Sequence, residues 1–269
     1  MSLDIKNELQ SIKDYYSNDP RQKRFSMLLT AESGAGKTFL LSTCPKPVFV
    51  DSFDPGGTKC LKPWIDKGEI IADTRWENED PSKPSVFRDW MKVTDDRLRS
   101  NFYSNFGTYS LDSATTWADA VMNFQLGSKS RAGTAPLFTQ DYTPQKFMMI
   151  NYIKKLINVE CNFILTGHLR MIEESFGPRP DGSNIVLTKY RFLTTGQAMV
   201  SIPLQFDELY VLKTKRSGGG LERSLLIEAQ NEYIARSRLK SNGLLESEEP
   251  ADVKALLKKI GVSCEDKEI

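Results

Sequence analysis

Eight residues near the start of the chain, Ala31-Glu32-Ser33-Gly34-Ala35-Gly36-Lys37-Thr38, combine small turn-forming side chains with one cation and one hydroxyl. They follow the phosphate-binding spacing G-x-x-x-x-G-K-[ST], in which backbone amides face inward around a phosphate chain. Gly34 and Gly36 permit that close approach. Lys37 would reach the β- and γ-phosphates. Thr38 would offer its hydroxyl to a magnesium ion that otherwise keeps its waters. The expected nucleotide-binding set is therefore Glu32, Ser33, Gly34, Ala35, Gly36, Lys37, Thr38 and Phe39. Ala31 stands where the pattern has its first glycine, which predicts a backbone position that tolerates a Cβ.

Three further stations sit at the ends of apolar runs of strand length. Thr108-Tyr109-Ser110-Leu111-Asp112 ends in an acid and is followed by Ser113. Asp112 would hold a magnesium-bound water beside the phosphate loop, while Ser113 suits the N-cap of the next helix. The run "NFILTGH" carries the only histidine, His168, to a strand end. Ligands of open parallel sheets bind at the carboxyl ends of strands, so His168 either donates to a γ-phosphate or merely closes its strand. In "VFVDSFDPGG", Asp51 and Asp54 lie just past a strand. A carboxylate there orients an attacking water, or Asp54-Pro55-Gly56 builds a local turn.

The elements that must hold these residues are legible as a pattern. Apolar runs of strand length recur at 26–30, 47–51, 69–72, 108–112, 162–166 and 208–213, separated by helical patterns at 37–43, 84–100, 113–126 and 143–159. That alternation predicts an α/β core, a mostly parallel central sheet flanked by helices. In the last helix Phe147, Ile150, Ile153 and Ile157 form the stripe expected to face the sheet. Residues 127–142 have no periodicity and read as an exposed loop. Residues 173–193 carry a Pro-Asp-Gly turn signal between two arms and predict a projecting hairpin. The expected organisation is an N-terminal helix and basic segment over 1–24, an ATPase core over 25–240, and an acidic linker with a short C-terminal helix over 241–269. Gly261 stands where a helix C-cap belongs.

Composition narrows the classes. The 269 residues carry a net charge of +1, so any DNA contact must be local rather than driven by a global basic field. Four scattered cysteines and one histidine build no zinc site and suit a reducing compartment. The charged start lacks the apolar core of a signal peptide, and no run approaches the roughly 18 apolar residues of a membrane span. A cytoplasmic protein is expected.

The four stations, in this order and spacing, resemble those of a RecA-type core ATPase, a P-loop protein with an AAA-type or RecA core. The chain is most similar to the phage-encoded RecA-like nucleotide-binding proteins grouped with single-strand annealing proteins. The resemblance covers roughly residues 25–215 and extends to a late strand with a basic turn near 202–220 and a basic strand near 233–242. It implies ATP and Mg2+ as cofactors, slow hydrolysis linked to single-stranded DNA, annealing or homologous recombination, and assembly of identical subunits into a ring or filament, with a single-strand-binding protein as a further partner and no membrane. Carried over by motif, Lys37 and Thr38 bind phosphate and magnesium, Asp112 is the second acid of the magnesium shell, and His168 is the polar sensor. The family's catalytic glutamate has no counterpart: Phe53 occupies its offset and Asp54 is the candidate. Lys213, Lys215 and Arg216 would reach a neighbouring subunit's nucleotide. Lys129 and Arg131, with Phe176, Arg179, Lys189 and Arg191 of the hairpin, would track and stack on single-stranded DNA. Two other readings share the phosphate loop: a nucleotide-gated DNA-binding or loader protein with little hydrolysis, and a small-molecule P-loop kinase with the hairpin as lid.

Overall fold

The computed structural model describes residues 4–19, 24–137, 139–178, 184–194, 197–218, 220–240 and 243–268. In chain order its elements are α1 (Ile5–Asn18), β1 (Ser26–Ala31), α2 (Lys37–Leu40), β2 (Val48–Ser52), α3 (Lys62–Ile65), β3 (Ile70–Asp73), α4 (Val86–Arg99), β4 (Thr108–Asp112), α5 (Ala114–Ser128), α6 (Tyr142–Leu156), β5 (Asn162–Pro178), β6 (Asn184–Phe192), α7 (Ala198–Ser201), β7 (Glu208–Ser217), β8 (Gly220–Leu226), β9 (Arg236–Ser237), β10 (Glu248–Pro250) and α8 (Val253–Lys259).

The sheet runs β10-β8-β7-β1-β5-β4-β2-β3. From β7 to β3 every neighbouring pair is parallel, whereas β8 and β10 are antiparallel additions at one edge. β1 therefore lies inside the sheet and is covered on both faces, which explains why its sequence is apolar without alternation. On one face Trp90, Trp117, Tyr109, Phe163 and Phe206 pack together with α4, α5 and α6. On the other, Leu29, Leu41, Ile164 and Tyr210 pack with α8 residues Val253, Leu256 and Leu257. This is the α/β architecture that the alternating pattern implies.

The long strand β5 begins in the core and continues outward, where Leu169 to Pro178 pair with β6 as an antiparallel hairpin. The expected hairpin is thus an extension of a core strand rather than a separate insertion.

Several expectations need correction. The acidic stretch read as a linker forms β10, which pairs with Leu225 and Leu226 of β8, and α8 is buried against the core in one cluster with Leu225. In α6 the buried positions are Gln145, Met149, Ile150, Tyr152, Ile153 and Leu156, while Phe147 is exposed under the ammonium of Lys146. Among the described residues, the basic strand expected near 233–242 forms a strand at Arg236 and Ser237 alone, with Tyr233 making isolated bridges to Tyr190 and Gln230. No residue of α1 is buried.

Candidate nucleotide site

β1 ends at Ala31, which is buried and sits beside His168 of β5 as its Cα partner. Ala31 is not among the residues with positive φ, so its Cβ costs nothing there. The turn itself requires glycine: Gly34 has φ +77 and Gly36 φ +102. Gly36 then opens α2, and Lys37 and Thr38 are its first two residues.

Lys37 is 6 % exposed. Its ammonium donates to the carbonyls of Ala31 at 3.4 Å and Glu32 at 3.2 Å, and among the described residues it has no ion pair. Burial lowers its pKa, opposed by the more distant charges of Asp112 and Asp54. A buried cation held only by long carbonyl contacts on its own loop suits an anion at that loop.

Asp112 is fully buried at the end of β4. Its Oδ2 accepts from the Thr38 hydroxyl at 2.7 Å, and its Oδ1 accepts from the Thr166 hydroxyl of β5. Burial raises its pKa against those two hydrogen bonds. The peptide linking it to Ser113 is cis. Carboxylate and hydroxyl are hard oxygen donors of the kind magnesium takes while keeping waters and phosphate oxygens in its remaining positions, so the donor set fits that ion. Thr38 and Asp112 would hold it.

Ser113 precedes α5, as expected of an N-cap, but its hydroxyl does not cap the helix. It bonds Asp54 Oδ1 at 3.0 Å, and Thr116 Oγ1 donates to the same oxygen at 2.5 Å. The neighbouring Thr115 hydroxyl lies 3.2 Å from His168 Nδ1. Burial lowers the His168 pKa and the Lys37 charge lowers it further, against Asp54. The first turn of α5 therefore ties Asp54 and His168 to one another through adjacent threonines. Glu77, in the loop after β3, accepts from Ser52 Oγ at 2.8 Å and from the Gly56 amide at 2.9 Å, which fixes the turn that carries Asp54.

Asp51 belongs elsewhere. It is fully buried and accepts from Trp76 Nε1, Trp90 Nε1, Tyr109 OH and an Arg97 guanidinium nitrogen at 2.8–3.1 Å. Burial raises its pKa while Arg97 opposes the rise. It organises the aromatic core and does not face the phosphate loop. Phe53, at the offset expected for a glutamate, is likewise core, against Trp90.

A profile of the AAA domain matches residues 23–239. The chain belongs to this AAA domain family. All the stations above lie within the matched AAA domain, which is a P-loop ATPase fold. Among solved structures, the KaiC-like protein PH0186 from the hyperthermophilic archaeon Pyrococcus horikoshii OT3 is similar at 13% identity with a TM-score of 0.41, over 79% of this chain and 81% of that one. No curated protein matches. Among the described residues, no helix is long and apolar enough to cross a membrane.

The cations expected to touch DNA or a neighbour divide into two groups within the AAA domain. Lys129 and Arg131 both bind the buried Asp141, at 2.9 and 2.8 Å, and so close the 127–142 loop on itself. The Leu137 amide joins them, and this set of bonds holds the Asp141 pKa well below the usual carboxylate range. Both charges are therefore already paired with Asp141 within the loop. Lys213 reaches Glu248 and Gln230, each at 3.4 Å. Lys215 and Arg216 are exposed on β7. Lys189 and Arg191 lie on β6, opposite Ile172 and Arg170 of β5. Arg179 and the side chain of Phe176 lie outside the described residues.

Sequence reasoning missed Thr115, Thr116, Thr166, Glu77 and Arg170, and also Arg223. Arg223 projects from β8 and donates through Nε to the Ala35 carbonyl at 2.9 Å. A hydroxyl pair after a strand-end Asp-Ser was the only local signal for any of them.

Proposed function

We propose that the chain is an ATPase that uses its phosphate loop and a magnesium ion to turn over ATP slowly and couples nucleotide state to single-stranded DNA. The observation that carries this reading is the 2.7 Å hydrogen bond between Thr38 and buried Asp112, set beside the ammonium of Lys37. Lys37 and the loop amides stabilise charge on the β- and γ-phosphates. Bound magnesium would supply charge neutralisation at the phosphate oxygens. Asp54 orients the attacking water: its Oδ1 is held by Ser113 and Thr116, and its Oδ2 accepts no hydrogen bond among the described residues. Turnover by the wild type that disappears in Lys37→Ala is the expected result. Unchanged turnover in the variant overturns the assignment of the loop.

The DNA side of the proposal rests on β5. One strand carries His168 from the phosphate loop into the hairpin, where Arg170 and Arg191 are cross-strand partners. Two cations at one register position of the hairpin suit the phosphate backbone of a nucleic acid. Lys189 lies two residues away on the same side of β6. Sensing of the γ-phosphate by His168 would reach this face along the strand, giving annealing or recombination activity in a ring or filament of like subunits. Single-stranded DNA should therefore bind more tightly with a non-hydrolysable ATP analogue than with ADP. Equal affinity in the two states excludes the coupling.

Asp54 in the role of a glutamate, clamped by two hydroxyls, favours a second reading: a nucleotide-gated DNA-binding or loading protein in which hydrolysis only resets the state. Asp54→Ala separates them. Loss of turnover with retained nucleotide-dependent DNA binding supports the gate.

A further inference from the structure

β8 brings an arginine onto the phosphate loop from the same chain. Besides the bond from Arg223 Nε to the Ala35 carbonyl, the guanidinium lies 5.3 Å from the centre of the Phe39 ring. It is close enough to Gly36 that a Cβ there would come within 2.7 Å of Nε and 3.3 Å of Nη2. Arg223 is half-buried, yet among the described residues it has no carboxylate partner, and its two terminal nitrogens donate to nothing. A half-buried cation on the phosphate loop with two uncommitted terminal nitrogens is suited to receive an anion.

The topology says which end of the ligand it meets. Asp112 stands at the tip of β4, two strands from β1 on one side, and Arg223 stands on β8, two strands from β1 on the other. Thr38 turns toward Asp112, so the magnesium end of a phosphate chain points that way. The nucleoside end then runs toward β8. There the Phe39 ring and the arginine stacked on it offer a flat apolar face and a charged fork. Phe39 is also edge-on to Trp64 at 5.6 Å, which holds the ring in place.

We infer that Arg223, stacked on Phe39, binds the nucleoside end of a nucleoside di- or triphosphate in cis, its guanidinium donating to the α-phosphate and its plane lying against the base. This rests on the phosphate-loop reading above. A guanidinium fork suits this role because it combines stacking with paired donors, which a lysine cannot do. The arginine also lets go of nothing essential on binding: the Ala35 carbonyl it holds is on the outside of a loop whose amides face the phosphates.

Calorimetric titration of the full chain with ADP and, separately, with inorganic triphosphate tests the assignment. Arg223→Ala should weaken ADP by about tenfold to a hundredfold, the range of a hydrogen bond to a charged group. The same variant should weaken inorganic triphosphate by a clearly smaller factor, because that probe shares the α-phosphate contact but has no base to lie against the guanidinium. Arg223→Lys should recover only part of the ADP affinity, and circular dichroism of both variants should match wild type. Unchanged ADP affinity in Arg223→Ala overturns the inference. So does an equal loss for both probes, which would make Arg223 a brace of the loop. Lys37→Ala separates this from failure of the loop reading: it should weaken both probes, and if it weakens neither, the loop itself was misassigned.

Discussion

The Thr38 hydroxyl and the Asp112 carboxylate, 74 positions apart in the chain, meet at 2.7 Å with Asp112 fully shut off from solvent. Burial raises the Asp112 pKa, so the folded protein holds this proton more tightly than the unfolded chain does. Folding therefore takes up a proton between the ordinary carboxylate pKa and the raised one. Without ligand, stability falls as pH rises through that interval and is flat above it. Asp112→Asn keeps partners for both hydroxyls and removes the buried charge. It should raise the stability of the ligand-free protein by about 1 kcal/mol at pH 7, lose this component of the pH dependence, and lose the magnesium-dependent part of ATP binding. Thermal melts across pH 4–7, with and without nucleotide, measure all three.

His168 gives an effect of opposite sign to that of Asp112. Its pKa is lowered by burial and by the Lys37 charge, so the folded state prefers the neutral ring. Stability should fall as pH drops through 6.5, the value in the unfolded chain, until the depressed folded pKa is passed. A γ-phosphate nearby would favour the charged ring. Binding of a non-hydrolysable ATP analogue at pH 6.5 should then take up a fraction of a proton more than binding of ADP. Titrations in buffers of different ionisation heat measure this difference, and it should vanish in His168→Gln.

What the sequence reveals and what it hides follows from distance along the chain. The phosphate loop is legible because its chemistry needs adjacent residues: Gly34, Gly36, Lys37 and Thr38 act through one turn. Asp112 is legible because a strand-end acid is itself a pattern. Asp51 and Asp54 are not separable in this way, since all five residues of β2 are buried without alternation to mark the face of Asp51, and Asp54 lies in the turn beyond it. Their fates are decided by Trp76, Trp90, Arg97 and Tyr109 in one case and by Ser113 and Thr116 in the other. Arg223 is 188 positions from the carbonyl it holds, and only the antiparallel return of β8 brings it to the loop. The acidic segment that becomes β10 is similar: three residues are too few for periodicity to register.

The Asp51 network makes a stability prediction without a catalytic one. Arg97 bonds Asp51 and Asp73 at 2.9 and 2.6 Å while largely buried, so Asp51→Ala leaves its charge with a partner missing. Removing one member of a buried pair typically costs about 3–5 kcal/mol. Urea denaturation should show that loss, with Asp51→Asn less severe because the amide oxygen still accepts from one of the two indoles. At temperatures where the Asn variant is folded, its rate per folded molecule should match wild type, in contrast to Asp54→Ala.

Lys129 and Arg131 differ from Arg170 and Arg191 in where the fold places them. The first pair closes the 127–142 loop on Asp141. Asp141→Ala should therefore open that loop to trypsin at Lys129 and Arg131, and the double alanine variant of these two cations should lower stability while leaving single-strand affinity within about twofold. Arg170 and Arg191 face each other on the hairpin. Replacing both with alanine should weaken single-stranded DNA by roughly tenfold near 0.1 M salt, and the slope of log affinity against log salt should fall by about 0.7 for each phosphate that the variant no longer neutralises. An unchanged slope would mean that the strand passes over another face of the protein.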